Sequence, residues 1–269
     1  MARADATTAS AASAADAFSR QVRRCFGRQA SHYERAARLQ AAVAWRLARH
    51  TRNLPLPPGP CGDLGAGSGL LARAIERQRP DTRLLRVDNC PELLAQEAQD
   101  CLGAPQLLWD LDQGLPRQLR GAALLASGFA LQWLEQPEQQ LAHWCGQLRP
   151  GGWLALAVPT AASFAPWRLA AERAEVPFTG LPLPEASRLE AIASRQLELR
   201  HCQRLRFSRS NEGAWPFLRQ IKAIGAQASR GPRLAPGELR RLVAHWPRAG
   251  RRQLEWEVLL LLGQKPWAR

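Results

Sequence analysis

The chain has 269 residues, of which 46% are hydrophobic and 22% charged, an ordinary globular composition long enough to bury a core in one or two domains. No apolar run reaches the roughly 18 residues that a membrane-spanning helix needs, and the six cysteines include no pair at zinc-binding spacing. The net charge of +14 comes mostly from arginine and favours acidic partners, but charge alone identifies no function.

The chain begins with a tail that lacks the apolar side chains of a core. Its first 17 residues are rich in alanine, serine and threonine, so we predict that they are disordered. Residues 18–50 are predicted to be helical, because apolar side chains recur at four-residue intervals, as at Val22, Phe26 and Ala30. The proline-rich run LPLPPGP then interrupts the pattern and marks the start of a new unit.

From Cys61 onward, short apolar runs alternate with amphipathic segments. Five runs have the length and composition of β-strands, and they cover residues 61–65, 82–88, 105–111, 123–129 and 151–159. Alternating strands and helices of this length predict a parallel α/β sheet. The sequence LRPGG before the fifth strand is predicted to end a helix and to form a tight turn.

After Pro159 this alternation stops. Residues 160–197 are predicted to be mainly helical. A strand at 197–209, two helices within 211–246 and a final strand at 252–265 complete the predicted elements.

Three glycines lie on alternate positions where the first strand is predicted to turn into a helix. Gly65, Gly67 and Gly69 permit positive φ angles and a close approach of a ligand to the backbone, and the helix N-terminus offers free N–H groups. A phosphate-binding loop is excluded because two leucines follow, and the dinucleotide pattern fails because the third glycine comes one residue early. Asp63 at the mouth of the loop would repel a pyrophosphate and suits a cationic ligand.

The acid and the glycines of this loop resemble a known cofactor motif. S-adenosylmethionine carries a sulfonium and an ammonium group, and the run Asp-x-Gly-x-Gly-x-Gly resembles the first motif of the class I methyltransferases. Asp88 ends the second strand, where a carboxylate can accept hydrogen bonds from both ribose hydroxyls, although NAD-dependent enzymes share this acid. The segments WDLDQGLP, SGFALQWL and LRPGGWLAL follow at the expected strand ends.

The segments that flank this core resemble a narrower family. FGRQASHYERAARLQ resembles the N-terminal segment of the malonyl-acyl carrier protein O-methyltransferases of biotin synthesis, the BioC family. FALQW, WPFLRQIKAIGA and the terminal LEWEVLLLLGQK resemble later parts of that family, so the likeness spans most of residues 18–265. Two departures are the loop sequence DLGAGSG in place of the more usual DxGCGTG and a loose match in the insertion after the fifth strand.

The resemblance implies a Rossmann-like class I methyltransferase fold, a mostly parallel seven-stranded sheet with helices on both faces. It also implies a helical lid at 18–50 and a methyltransferase domain at 51–269 with a helical insertion at 160–200. The implied enzyme is cytoplasmic and monomeric, and has neither a membrane nor a nucleic acid as its partner. It transfers the methyl group of S-adenosylmethionine to the free carboxylate of malonyl-acyl carrier protein or malonyl-CoA, and the acidic carrier protein docks on a basic surface. A carboxylate is already a nucleophile at neutral pH, so neither a general base nor a metal is expected.

The loop pattern and the resemblance together provide candidate site residues. Those expected to bind S-adenosylmethionine are Asp63, Gly65, Ala66, Gly67, Gly69, Asp88, Asn89, Asp110, Leu111 and Ser127. Those expected to position the substrate are Tyr33, Gln132 and Lys222. Arg23, Arg24 and Arg28 are candidates for contact with the carrier protein, although a solvated helix face explains them as well.

Three other functions stay open at this point. The chain could be a class I methyltransferase that acts on another small acid or a natural product. It could methylate RNA, because positive charge suits phosphate contacts, but no RNA-binding module or catalytic N/DPPY motif accompanies the fold. It could also be a non-catalytic module that has kept only the fold.

Overall fold

A seven-stranded β-sheet organises the chain. A computed structural model describes residues 17–100, 103–210, 212–248 and 254–267. The predicted disordered tail falls almost wholly on residues 1–16, outside the described residues. In chain order the strands are β1 (Cys61–Leu64), β2 (Leu85–Asp88), β3 (Gln106–Leu108), β4 (Ala122–Gly128), β5 (Leu148–Pro159), β6 (Glu198–Arg209) and β7 (Leu254–Gln264).

The strand order is β3-β2-β1-β4-β5-β7-β6. The first five strands pair in parallel, and β7 lies antiparallel between β5 and β6. The predicted mostly parallel sheet of seven strands is therefore confirmed. Because the chain moves outward from β1 to β3 and then returns to place β4 on the other side of β1, the carboxyl ends of β1 and β4 form a topological switch point, where open α/β sheets bind ligands.

Helices follow the strands and cover the sheet. They are α1 (17–27), α2 (Tyr33–Ala36), α3 (Arg38–Thr51), α4 (Leu70–Gln78), α5 (Pro91–Asp100), α6 (Pro137–Gln147), α7 (Ala165–Arg173), α8 (Ala186–Ser194), α9 (Ala214–Ala223) and α10 (Pro236–Ala244). The division of the chain into a lid at 18–50, a domain at 51–269 and an insertion at 160–200 stays a prediction. None of the helices in the described ranges is both long and apolar enough to cross a membrane.

Alternation along the central strands separates the core into two apolar layers. In β5, Trp153 and Ala155 face the layer that contains α3, α4, α7, α9 and α10, whereas Leu154 and Leu156 face the layer that contains α6 and α8. β7 alternates in the same way. Both strands are apolar on both faces because both faces are covered, as in other sheets of parallel α/β proteins.

Several element boundaries differ from the sequence-based prediction. β2 begins at Leu85 and not at 82, and the helices within 160–197 cover only Ala165–Arg173 and Ala186–Ser194. Two further differences have a clear cause in the structure. The LRPGG segment was expected to be a turn, but β5 begins at Leu148, which pairs with Ala122 across an irregularity of the ladder. Gly151, at a φ of 76°, lets the strand continue while its N–H bonds to the Lys265 carbonyl. β3 ends at Leu108 and not at 111, because the Asp110 side chain accepts the Asp112 N–H and begins a short 3-10 helix.

One buried arginine joins three elements around the end of β2. Arg86 is 1% exposed and donates from Nε to Glu97 in α5 at 2.8 Å. Its Nη1 and Nη2 donate to Glu76 in α4 at 2.6 and 2.8 Å. The Glu97 carboxylate also lies so close to the backbone that a Cβ at Gly69 would come within 2.1 Å of it. The ion pairs therefore hold α4 and α5 against β2, two residues before Asp88.

Replacement of this arginine should be costly. Arg86→Ala should lower the free energy of unfolding by about 3–5 kcal/mol, because it leaves the buried Glu97 carboxylate without its counter-charge. Urea unfolding followed by circular dichroism measures the loss. The control is Arg204→Ala, which removes an arginine whose pair with Glu190 lies at the surface and should change stability far less. Equal losses in the two variants would contradict the structural role of Arg86.

Candidate active site

The glycine loop connects β1 to α4 at the switch point. Gly65, Gly67 and Gly69 have φ angles of 69°, 57° and 79°, so all three adopt the left-handed conformation that favours glycine. A Cβ at Gly65 would lie 2.1 Å from the Ala130 Cβ, whereas a Cβ at Gly67 would meet only Leu93, at 3.7 Å. Gly65 is therefore required by packing, and Gly67 presents its backbone to open space.

Asp63 lies beneath this loop and is almost fully buried. Its Oδ2 accepts the Ala72 N–H at 2.9 Å, but its buried Oδ1 has no hydrogen-bond partner among the described residues. Burial raises the pKa of Asp63 to about 7. Because Asp63 lines the cavity next to the loop, its Oδ1 is available to a cationic group of a ligand there.

Asp88 links the end of β2 to the glycine loop. Its Oδ2 accepts the Gly67 N–H at 2.8 Å, and its Oδ1 accepts the Cys90 N–H at 2.8 Å. Burial raises the pKa of Asp88 to about 6. Each carboxylate oxygen can accept a second hydrogen bond, so Asp88 can shape the loop and bind hydroxyl groups at the same time.

Helix α1 covers the cavity next to the glycine loop. Ser19 donates to Asp110 Oδ2 at 3.0 Å and accepts a hydrogen bond from Asn89 Nδ2 at 3.2 Å, so α1 is joined to residues that follow β2 and β3. Arg230 lies 4.0 Å over the Phe18 ring. At the other end of α1, a Cβ at Gly225 would come within 2.9 Å of the Phe26 Cα.

These contacts enclose one cavity that most of the predicted cofactor residues line. We name it the glycine-loop cavity; its lining includes Asp63, Gly65, Ala66, Gly67, Asp88, Asn89, Asp110 and Leu111. The structure thus brings eight of the ten predicted cofactor residues together. Gly69 and Ser127 are not part of the lining: Gly69 begins α4, and the fully buried Ser127 donates to the Leu64 carbonyl at 2.8 Å and joins β4 to β1.

Sequence reasoning missed the role of Ser19, Gly225 and Arg230. Ser19, Val22 and Phe26 lie on one face of α1, and the spacing of three and four residues is the signal that would have added Ser19 to the site. No comparable signal identifies Gly225 and Arg230, because both contact α1 from sequence positions about 200 residues away.

A second cavity adjoins the first and is lined largely by aromatic side chains. We name it the aromatic cavity; it shares Phe26, Tyr33, Gln40, Phe129 and Trp133 with the glycine-loop cavity and also includes Gln132, Pro159, Phe164, Trp167, Leu181, Leu183, Ile221, Ile224, Ala226 and Trp256. Tyr33 is the titratable residue among them, and burial, with a smaller effect of Asp88, raises the pKa of its phenol far above the usual value. Tyr33 is therefore a hydrogen-bond donor at neutral pH and not a base.

The remaining predicted substrate residues lie in different places. Gln132 lines the aromatic cavity, where its Nε2 donates to the Phe129 carbonyl at 2.7 Å and its buried Oε1 has no partner among the described residues. Phe129 itself has a φ of 58°, which is strained for a residue with a Cβ and occurs often at functional sites. Lys222 is exposed outside both cavities, because α9 turns its neighbour Ile221 inward.

The three arginines predicted to contact the carrier protein, in and just after α1, are also separated. All three are exposed, but Arg23 lines the glycine-loop cavity, whereas Arg24 and Arg28 do not belong to either lining. Arg23 is thus the one of the three that lies next to the predicted cofactor residues.

Comparison with known proteins gives consistent sequence matches. Residues 62–156 match the family described as "Methyltransferase domain". The chain is 30% identical over 237 residues to the biotin biosynthesis bifunctional protein BioCD of Bordetella avium, covering 86% of this chain and 50% of that protein. It is 36% identical over 142 residues to a malonyl-[acyl-carrier protein] O-methyltransferase of Alcanivorax borkumensis, covering 52% and 48%. A trans-aconitate 2-methyltransferase of Streptomyces avermitilis is 31% identical over 140 residues, covering 48% and 49%. The chain spans about half the length of the curated relatives it matches.

Solved structures share the fold at low sequence identity. Geranyl diphosphate methyltransferase in complex with S-adenosylmethionine matches with a TM-score of 0.51 and 14% identity, covering 84% of this chain and 85% of that one. The [4+2]-cyclase SpnF matches with a TM-score of 0.52 and 14% identity, covering 83% and 81%. Since a cyclase shares it, the fold alone does not decide the reaction. The sequence matches and the fold together confirm the resemblance: the chain has the class I methyltransferase fold and is similar in sequence to methyltransferases of the BioC type.

Proposed function

We propose that the chain transfers the methyl group of S-adenosylmethionine to the free carboxylate of a malonyl thioester. The observation that carries this proposal is the chemistry of the aromatic cavity. Among its lining residues, Tyr33 is the titratable one, and the phenol keeps its proton. An alcohol or amide substrate would need a base, whereas a carboxylate is ionised at neutral pH and can attack without one.

The glycine-loop cavity fits the methyl donor. The unpartnered Asp63 Oδ1 supports binding of an ammonium group, and the remaining acceptor positions of Asp88 support binding of ribose hydroxyls. Asp110 and Leu111 are proposed to border the adenine. S-adenosylmethionine supplies the transferred methyl group as part of a cationic sulfonium. The protein positions both reactants and keeps water away from them.

The aromatic cavity would strengthen the nucleophile. Phe129, Trp133 and Phe164 surround it with apolar surface, so a carboxylate inside would lose much of its hydration and react more readily with a cationic methyl donor. Tyr33 lines both cavities, and its hydroxyl is proposed to donate a hydrogen bond that orients the substrate. Because the described lining contains no arginine or lysine, the cavity suits a substrate with one free carboxylate better than trans-aconitate, which carries three.

The direct test offers a set of acyl substrates with S-adenosylmethionine. We expect mass spectrometry to show the gain of one methyl group on malonyl-acyl carrier protein, and none on acetyl-acyl carrier protein, which lacks the free carboxylate. Free malonate and trans-aconitate serve as competing small acids. Methylation of trans-aconitate without methylation of either malonyl-acyl carrier protein or malonyl-CoA would replace the proposal with a small-acid methyltransferase.

Asp88→Ala should weaken binding of S-adenosylhomocysteine by about 1.5–3 kcal/mol, which is about 10- to 150-fold, because hydrogen bonds to a charged group are lost. Isothermal titration calorimetry measures the affinity. The control Asp81→Ala removes an exposed aspartate that precedes β2 and does not line the cavity, and should leave the affinity unchanged. An unchanged affinity in Asp88→Ala would remove Asp88 from the site.

Affinity for S-adenosylmethionine should fall as the pH is lowered from about 8 to about 5, because a cationic ligand favours the ionised forms of Asp63 and Asp88, whose pKa values burial raises to about 7 and about 6. Binding near pH 6.5 should therefore release protons, which calorimetry in two buffers of different ionisation enthalpy detects. The Asp63→Asn variant should release fewer. A pH-independent affinity would contradict the assignment.

Without ligand, the raised pKa of Asp63 should make the folded protein less stable as the pH rises, whereas the affinity for the ligand should increase. The pKa of an aspartate in the unfolded chain is about 4, and that of folded Asp63 is about 7. Between these pH values Asp63 of the unfolded chain has released its proton, whereas folded Asp63 retains it. The contribution of Asp63 to the free energy of unfolding should therefore fall as the pH rises through this range. Asp63→Asn should remove that slope in urea unfolding, measured without ligand.

A further inference from the structure

A basic concavity adjoins the aromatic cavity. A third concavity shares Gln40, Ile221, Ile224 and Trp256 with the aromatic cavity. Three exposed arginines lie on its rim, and we name the concavity the arginine vestibule after them: Arg35, Arg38 and Arg209. The lining of the aromatic cavity contains no arginine or lysine, whereas the lining of the adjoining vestibule contains these three arginines.

The vestibule arginines are available to an anion. Arg35 and Arg38 form no ion pair or side-chain hydrogen bond within the described ranges of the chain. Arg209 donates to Gln220 Oε1 at 2.8 Å and lies 3.7 Å from the exposed Glu212, a weak surface pair. By contrast, arginines farther along β6, such as Arg204, are paired with carboxylates. Guanidinium groups bind phosphate oxygens in a bidentate manner, so the vestibule fits a phosphodiester.

A basic face continues from the vestibule along α3. Phe207 lines both the vestibule and a neighbouring groove, whose other lining residues are Ala42, Trp45, Arg46, Arg49 and His50. The 14 residues of α3 include three arginines and no acidic residue, and all three, Arg38, Arg46 and Arg49, project from its exposed side. We name the part of this face beyond the vestibule the α3 strip: Trp45, Arg46 and Arg49.

The α3 strip also exposes a large apolar side chain. Trp45 is 53% exposed, and the Arg49 guanidinium lies 5.0 Å over its ring. Exposed tryptophan and arginine side chains in a helix face are typical of residues that anchor protein interfaces. The charge of the strip selects an acidic partner.

We propose that the α3 strip and the arginine vestibule form the docking site of an acidic acyl carrier protein. This inference rests on the proposed function. In this proposal the α3 strip contacts the acidic carrier, and the vestibule arginines bind the phosphodiester of its pantetheine arm. The malonyl end would enter the adjoining aromatic cavity beside Gln40, Ile221 and Trp256, which line both concavities. This docking site does not include Arg23, Arg24 or Arg28, which the sequence analysis named as candidates for contact with the carrier protein.

Three substrates separate the two parts of the docking site. Malonyl-acyl carrier protein engages the strip and the vestibule, malonyl-phosphopantetheine engages the vestibule alone, and malonyl-pantetheine lacks the phosphate and engages neither. Arg46→Glu/Arg49→Glu should lower kcat/KM about tenfold or more for the carrier substrate only, and this difference should shrink at about 0.3 M salt. Arg35→Gln/Arg38→Gln should lower kcat/KM for both phosphate-bearing substrates.

The matched control reverses the charge of two exposed arginines at the end of the sheet where β4 begins, opposite the end that carries Arg209. Arg117 and Arg120 lie just before β4 begins, so Arg117→Glu/Arg120→Glu makes the same change in net charge far from the vestibule and should leave all three substrates unaffected. Unchanged affinity for S-adenosylhomocysteine verifies folding, and Arg46→Gln/Arg49→Gln replaces the reversal if that affinity changes.

The outcomes distinguish the two proposals. If malonyl-pantetheine is methylated but the α3 variants use the carrier substrate as well as the control does, the docking site is wrong and the proposed function stands. If the control and the α3 variants lose activity equally, net charge and not this face recruits the carrier, which also overturns the docking site. If none of the three malonyl substrates is methylated while S-adenosylhomocysteine binds, the proposed function itself fails.

Discussion

The hydrogen bond from the Gly67 N–H to the Asp88 carboxylate is the interaction on which the site depends. It joins the loop after β1 to the end of β2, and it holds Gly67 in a left-handed conformation with its backbone facing the cavity. Arg86, two residues before Asp88, supports the same region by pairing with Glu76 and Glu97 on the two helices that flank the loop. Glu97 in turn occupies the space that a side chain at Gly69 would need. The glycines and the buried ion pairs are therefore parts of one arrangement.

The two adjoining cavities divide the chemistry between them. The glycine-loop cavity has a buried carboxylate at Asp63 and a half-buried one at Asp88, with acceptor positions for a cation and for hydroxyl groups. The aromatic cavity has apolar walls and a phenol that keeps its proton. A cationic methyl donor and a carboxylate acceptor are complementary to these two environments, and their mutual attraction would be strongest where water is excluded.

The helices before β1 serve both cavities. α1 covers the glycine loop through Ser19 and packs against Gly225. Glu34 of α2 forms an ion pair with Arg73 of α4, which holds the segment around Tyr33 against the domain. α3 buries Val43 and Leu47 in the core and exposes its arginines on the other side. The same amphipathic pattern that anchors this helix therefore leaves a basic face beside the proposed substrate entrance.

Local sequence patterns were enough to predict the order of strands and helices up to Pro159. They also predicted the glycine loop and the acids at the ends of β1, β2 and β3. These features depend on periodicity and on residues a few positions apart. The resemblance in the flanking segments predicted Tyr33 and Gln132 as substrate residues, and both line the aromatic cavity. Tertiary contacts decided the places of other residues. Ser127 joins β4 to β1 by a hydrogen bond, and Lys222 faces solvent. Ser19 and Arg230 hold α1 in place. The tertiary structure also decided that the arginines of the concavity that adjoins the aromatic cavity come from α2, α3 and β6. These outcomes depend on contacts between residues far apart in the chain, and local sequence patterns carry no information about which distant segments meet.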